Sequence, residues 1–263
     1  MRKLTKKHFL KTLILLSCVL CTLTTNAAYV LRPAFAAGSK RELVSVQYGK
    51  LLKQGLQKVE LYADYDNNGV FAENITVYVK DKQTEKELFR IEPEENAGYN
   101  PAILLADFTG DGIQEIYLGI DSGGSGAFGY YYIYSLKSGK MQTIFNFENI
   151  SNPYTAKYSD GYKVTVTFVP EERNFLIDIS GRSEEYLGAI YNPDGTLKKP
   201  VTADVSAVNA VYPFFSNSKN RFDILVLRRI TGLFSADSFG YTQDFMTYNG
   251  KTFETYYRAV AIN

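Results

Sequence analysis

The apolar residues of this chain fall in short runs, not at helical spacing. Stretches rich in Tyr, Val, Ile, Phe and Thr recur at Val59–Tyr62, Ile75–Val79, Ile103–Leu105, Ile116–Ile120, Tyr130–Tyr134, Met141–Phe145, Tyr162–Val169, Phe175–Ile179, Asp223–Leu227 and Phe253–Arg258. Gly, Asn, Asp and Pro separate them, which is how strands and their turns read in sequence. Aromatic and β-branched side chains suit a pleated, half-buried surface. Asn192-Pro193-Asp194-Gly195 reads as a turn and Asn249-Gly250 as a tight hairpin connection. The pattern predicts an all-β chain of roughly 14–16 short strands.

A repeat lies over this pattern. Phe128-Gly129-Tyr130 returns as Phe239-Gly240-Tyr241, and Gly139-Lys140 as Gly250-Lys251, both 111 residues later. Glu115-Ile116-Tyr117-Leu118 answers Asp223-Ile224-Leu225-Val226 at an offset of 108. The small difference in offset falls between strands, where loops tolerate insertion. The spacing leaves room for four units, at about 42–95, 96–148, 154–192 and 205–260. Several strands per period of this length point to a small β-propeller-like fold of about four blades. A duplicated β-sandwich is the alternative.

The N-terminus bears on where the chain works. Residues 1–36 run from a basic start (MRKLTKKHFLK) through an apolar stretch to Ala34-Phe35-Ala36. That is the order of a secretory signal peptide, and the apolar run is short for a membrane span. An uncleaved anchor and lipid attachment at Cys18 are the alternatives. With cleavage, residues 37–263 form a single β-repeat domain that is secreted or extracellular, with no membrane span after cleavage. Both cysteines (Cys18, Cys21) and the sole histidine, His8, lie in the removable segment, and the net charge falls from +1 to −5. No disulfide, His/Cys zinc site or Ser-His or Cys-His catalysis is then expected. An acidic chain is also a poor nucleic-acid partner.

Hard oxygen ligands remain. Asp107-Phe108-Thr109-Gly110-Asp111-Gly112-Ile113-Gln114-Glu115 sets oxygen side chains at positions 1, 3, 5 and 9 and glycine at position 6. This follows the logic of calcium loops, in which alternate side chains point inward, a carbonyl joins them and a late carboxylate closes the shell. The candidate ligands are Asp107, Thr109, Asp111, Ile113 (carbonyl) and Glu115, and the expected cofactor is Ca2+. A second candidate set is Asp64, Asp66 and Asn68, with Glu73 as the late acid. A third stretch, Phe215–Asn220, has lost most ligands and reads as a turn. The alternative for each string is a surface turn whose Asp side chains bond their own backbone.

These residues resemble a known family. Ala106–Gly112 followed by Glu115-Ile116 is similar to the core of FG-GAP and VCBS repeats. A wider stretch, from Asn96-Ala97-Gly98-Tyr99-Asn100-Pro101 through Asp121–Gly126 to Ile230-Thr231-Gly232 and Ala236-Asp237-Ser238, resembles a group of secreted Gram-positive VCBS-repeat proteins. The resemblance implies a propeller fold with calcium held at the start of a strand. It departs at the first and last loops, where the Asp-Gly pattern is eroded.

The functional expectation is a calcium-binding, secreted or cell-envelope binding module whose partner is a cell-wall glycan or surface protein. The competing expectations are a carbohydrate-active enzyme using paired carboxylates, drawn from Glu92–Glu95, Glu171-Glu172 or Glu184-Glu185, and a structural envelope component. Asp121–Gly126 lacks the Lys-Ser/Thr of a phosphate-binding loop. Tyr130, Tyr131 and Tyr132 read as core, with carbohydrate stacking the alternative.

Overall fold

Alternation of inward and outward side chains, broken at Gly, Asn and Asp, folds this sequence into antiparallel meanders. The computed structural model describes residues 39–66, 68–124, 126–217 and 219–263. The export-signal reading, with Cys18, Cys21 and His8, lies outside the described residues. The first meander is β1 (Lys40–Gly49), β2 (Gln57–Tyr65), β3 (Ala72–Asp81) and β4 (Glu87–Ile91). The second is β5 (Tyr99–Ala106), β6 (Glu115–Gly123), β7 (Phe128–Ser135) and β8 (Gln142–Asn146). The third has three strands, β9 (Tyr154–Ser159), β10 (Lys163–Phe168) and β11 (Arg173–Asp178), followed by the helix α1 (Glu184–Ile190). The fourth is β12 (Thr202–Ser216), β13 (Arg221–Thr231), β14 (Ser238–Tyr248) and β15 (Phe253–Ile262).

The chain is all-β, but it has three sheets where the repeat spacing led to four blades. The cause is β12. Its start pairs with β9, through Thr202–Lys157 and Ala203–Ala156, before it zips onto β13. The third and fourth meanders therefore share one seven-stranded sheet, β11-β10-β9-β12-β13-β14-β15, which curls into a nearly closed barrel.

The second meander is buried on both faces. Ile103, Leu105, Ile116, Leu118, Tyr132 and Tyr134 pack against Val59, Leu61, Ile75 and Val77 of the first. The alternate positions, Ala106, Tyr131 and Ile133, pack against Val208, Val211, Ile224 and Val226 of the fourth. Side chains of period two make this possible, and each such full burial is worth ~1.5–3 kcal/mol. Tyr131 and Tyr132 are 8% and 1% exposed, so neither offers a ring to a ligand. Their hydroxyls bond backbone, Tyr131 donating to Asn209 O and Tyr132 accepting from Glu95 N. A third core fills the seven-stranded sheet, where Tyr158, Val164, Val166, Ile177, Ile230 and Phe239 meet Ile190 of α1.

α1 runs against the expectation of strands alone. It spans 7 residues, too few to print a helical period. Its signal is local: Ser183 caps it, accepting from Tyr186 N at 3.2 Å, and Glu184 and Glu185 stand in the first turn. Among the described residues no helix is long and apolar enough to cross a membrane.

Candidate functional site

The Asp107–Glu115 loop joins the first and second strands of the second meander. Phe108, fully buried, anchors it against Phe222 and Phe253 at ring distances of 6.0 and 6.3 Å. Gly110 and Gly112 take positive φ (77° and 78°), which turns loop amides inward. Asp107 gathers them: Oδ1 accepts from Gly110 N at 2.6 Å and Asp111 N at 3.3 Å, and Oδ2 from Gly112 N at 2.8 Å. Asp111 Oδ1 accepts from Ile113 N at 2.8 Å, and its other oxygen pairs with Lys137. Burial works against the Asp111 charge, but Lys137 and the Ile113 amide still hold its carboxyl below the ordinary range.

Glu115 closes the loop from beneath and is fully buried. Its Oε2 accepts from Phe108 N at 2.9 Å and Thr109 N at 3.3 Å. Its Oε1 accepts from the hydroxyls of Thr109 (3.3 Å) and Ser135 (3.4 Å). Burial, with the Asp107 and Asp111 charges adding, pushes its carboxyl up to about 7 against the pull of those amides. Among the described residues it has no ion-pair partner, and no three acidic side chains converge as a ready metal cage. In donor chemistry the residues suit a hard cation, with three carboxylates and a threonine hydroxyl along the loop, of which Asp111 alone is paired with Lys137.

Asp64–Gly69 occupies a different place. Asp64 lies in β2, in register with Glu73 of β3, so this string is the β2–β3 hairpin and not a positional copy of the Asp107 loop. Asp64 is held by Arg41 Nη1 at 3.2 Å and Asn74 Nδ2 at 2.8 Å. Asp66 Oδ1 accepts from Asn68 N and Gly69 N, both at 3.1 Å, as a turn-forming Asp does. We therefore expect Asp66→Ala to cost about 1 kcal/mol of stability, as loss of a local side-chain cap does. A denaturant melt with and without calcium should show the same loss in both.

The positional copy is Gln57, and the counterpart in the sequence repeat is Asp223. Ala106 pairs with Glu115 and Gly49 with Gln57, so these two open the second strand of their meanders, while Asp223, the counterpart of Glu115 in the sequence repeat, stands two residues inside β13, opposite Phe214. All three are buried. Gln57 Oε1 accepts from Leu51 N (2.8 Å) and Leu52 N (3.1 Å), the same two-amide grip that Glu115 takes on its own loop. Asp223 instead meets Lys219 Nζ at 3.0 Å and Thr247 Oγ1 at 2.6 Å, with Arg221 Nε at 3.8 Å. At the β12–β13 hairpin, Phe215 lies opposite Phe222 and Ser216 opposite Arg221. This hairpin lies against the Asp107 loop: Phe222 N donates to Asp107 O at 2.8 Å and Arg221 Nη1 to Thr109 O at 3.4 Å. Sequence reasoning passed over Gln57, Lys219, Ser135 and Thr247, because none carries a motif and their roles come from strand register. The carboxylates offered for paired acid/base work, Glu92, Glu94, Glu95, Glu171, Glu172, Glu184 and Glu185, are all exposed.

An all-β scaffold of stacked meanders, with a buried polar side chain closing successive loops, is the class of structure this site belongs to. The YybI C-terminal domain matches residues 152–261. YybI of Bacillus subtilis (strain 168) is 34% identical over 182 residues, covering 68% of this chain and 69% of the relative. The chain belongs to the YybI family. This corrects the resemblance to FG-GAP and VCBS repeats, since the matching family is a different one and no FG-GAP or VCBS family matches. Among solved structures, a rhamnogalacturonan lyase PL11 of Bacillus licheniformis aligns over 84% of this chain and 35% of its own, at 14% identity and a TM-score of 0.36. So loose a superposition transfers neither fold nor chemistry.

Proposed function

We propose that this protein is a calcium-stabilised β scaffold that serves as an extracellular or cell-envelope binding module, with the ion held at Asp107, Thr109, Asp111, Ile113 and Glu115. One observation carries the reading. Of the three buried side chains near these loops, Gln57 is neutral and Asp223 has Lys219 beside it, while Glu115 is a carboxylate with no paired cation and two acidic neighbours. A buried charge in that position calls for a counter-ion or a proton. The ammonium of Lys219 supplies a positive charge in the fourth meander, and in the second a divalent cation would supply it, displacing Lys137 from Asp111. Oxygen donors from Asp, Glu, Thr and a backbone carbonyl select a hard cation such as Ca2+. A rigid loop end of this kind suits a module that presents its surface to a cell-wall glycan or surface protein.

The test is a thermal melt of the chain in calcium and in excess chelator, beside Asp107→Ala and Asp111→Ala. An ion that binds only the folded state stabilises it by ~2.7 kcal/mol at about a hundred times its dissociation constant. We expect calcium to raise Tm in the parent and not in the variants. An unchanged Tm at millimolar calcium would leave the loop as a self-bonded turn and remove the proposal. Retention on isolated cell-wall material in calcium, with release by chelator, is the expected partner readout.

A further inference from the structure

A second polar centre lies away from the Asp107 loop, in the curled seven-stranded sheet. Along β13 the buried face reads Ile224, Val226, Arg228, Ile230, so a guanidinium interrupts an apolar row and is only 1% exposed. Arg228 Nη1 donates to Asp244 Oδ2 at 2.6 Å and Nη2 to Ser151 O at 2.9 Å. Its Nε is buried without a hydrogen-bond partner. Asp244, 3% exposed, is shared: Tyr154 Oη donates to its Oδ1 at 2.6 Å, and Arg258 Nε stands 3.4 Å from the same oxygen. The Arg258 guanidinium lies 3.9 Å over the Phe168 ring, and its Nε too has no hydrogen-bond partner. Arg228, Asp244, Arg258 and Phe168 line a cavity of 360 Å³ that opens to solvent, together with Ser151 and Thr255.

The charges do not balance inside it. Two guanidinium groups, each with five donors, share one buried carboxylate. The remaining acid is Glu171 at the rim, exposed and 3.9 Å from Arg258 Nη1. Burial pulls the Arg228 group down from its ordinary range, though Asp244 and Tyr154 oppose this. The Nη donors of Arg258, whose side chain is 22% exposed, are the ones an oxyanion can reach in this partly dehydrated site, and planar guanidinium best matches a planar carboxylate. The volume is that of a small-ligand pocket, and Phe168, Met246 and Phe253 give it apolar walls for a carbon skeleton.

We propose that this cavity is a binding site for a small organic carboxylate, whose anionic group pairs with Arg258 beside the Arg228–Asp244 pair and displaces Glu171. None of the calcium-loop ligands lines this site, although its wall residue Phe253 also packs on Phe108 of that loop.

Calorimetric titration of the full chain at constant ionic strength tests this, with acetate, glucuronate and inorganic phosphate as probes. The expected result is saturable binding of a carboxylate, glucuronate more tightly than acetate, because the apolar walls add contact. Arg258→Gln should weaken it about tenfold or more, as loss of a charge-assisted pair does. Glu171→Gln should tighten it about two- to threefold by removing the rim competitor. Lys157→Gln, outside the cavity, should leave it unchanged. If Arg258→Gln fails to fold, the sign of the Glu171→Gln change decides the matter. No binding by any probe up to about 50 mM, a concentration that would reveal even millimolar affinity, overturns the proposal. Equal weakening by Arg258→Gln and Lys157→Gln also overturns it. Phosphate binding without carboxylate binding overturns the ligand class.

Discussion

Asp244→Asn should destabilise the protein by about 3–5 kcal/mol, the range found when one partner of a buried ion pair is removed. The loss comes from the groups left behind. Asp244 is the one buried carboxylate between Arg228 and Arg258, and Arg228 is 1% exposed with an Nε already unpartnered. Neutralising it leaves two guanidinium charges facing each other in a low-dielectric pocket. Asn keeps an acceptor for the Tyr154 hydroxyl, so shape and most hydrogen bonding survive while the charge goes. Urea denaturation should show a lower midpoint with an unchanged slope, since the surface exposed on unfolding is the same. A change below about 1 kcal/mol would mean that solvent already screens the two arginines, and that Asp244 acts as an ordinary surface partner. An anion that enters the cavity should restore part of the lost stability in this variant by supplying the missing charge.

Much of the fold was legible because strands announce themselves locally. Every apolar run read from the sequence lies in a strand, apart from end residues, and the Phe-Gly-Tyr repeat marks the start of β7 and of β14. Gly240 shows why that repeat keeps glycine: at φ 139° an added Cβ would lie 2.0 Å from Ala261 O. What was not legible depends on long-range register. The merging of the third and fourth meanders rests on two residues of β12, and no periodicity records which edge a strand's first residues choose. β1, β4, β9 and β12 passed unmarked: β1 and β4 lie at sheet edges, and polar residues break up the apolar positions of β9 and β12. At the site, Asp64–Gly69 and Asp107–Gly112 share Asp-x-x-x-x-Gly spacing, yet in one Asp66 bonds its own turn and in the other the loop amides close on Asp107 and Glu115. Turn chemistry and ligand chemistry use the same residues, so spacing alone could not separate them. Arg228 did leave a trace, as a charged residue in the buried register of an otherwise apolar strand. Its partner Asp244 lies across the β13–β14 pair, opposite Val226, and so was out of reach.

Glu115→Gln should make the calcium-free protein more stable near pH 8, by about 3 kcal/mol, and should abolish its response to calcium. Gln57 is the precedent within the chain: a buried amide already takes the two-amide grip that Glu115 takes, with no charge to solvate. The size follows from linkage. The carboxyl is raised from 4.5 to about 7 in the folded state, chiefly by burial, and each tenfold change in proton affinity is worth ~1.4 kcal/mol. For an acid raised on folding, the effect is destabilising. Below about pH 4.5 the group is protonated in both states and costs nothing. Between there and about pH 7 the unfolded chain loses its proton first, so stability falls as pH rises. Above about pH 7 the full cost is present. The gain from the amide should therefore be largest in alkaline chelator and vanish in acid, and melts across that range read it directly. In calcium the order should invert, because the parent's carboxylate then has a cation and the variant has lost a ligand. A variant less stable than the parent in chelator at pH 8 would show that the loop amides and the nearby Lys137 already satisfy the charge. The pairing of Asp223 with Lys219 would then be a local variation and not a guide to what Glu115 requires.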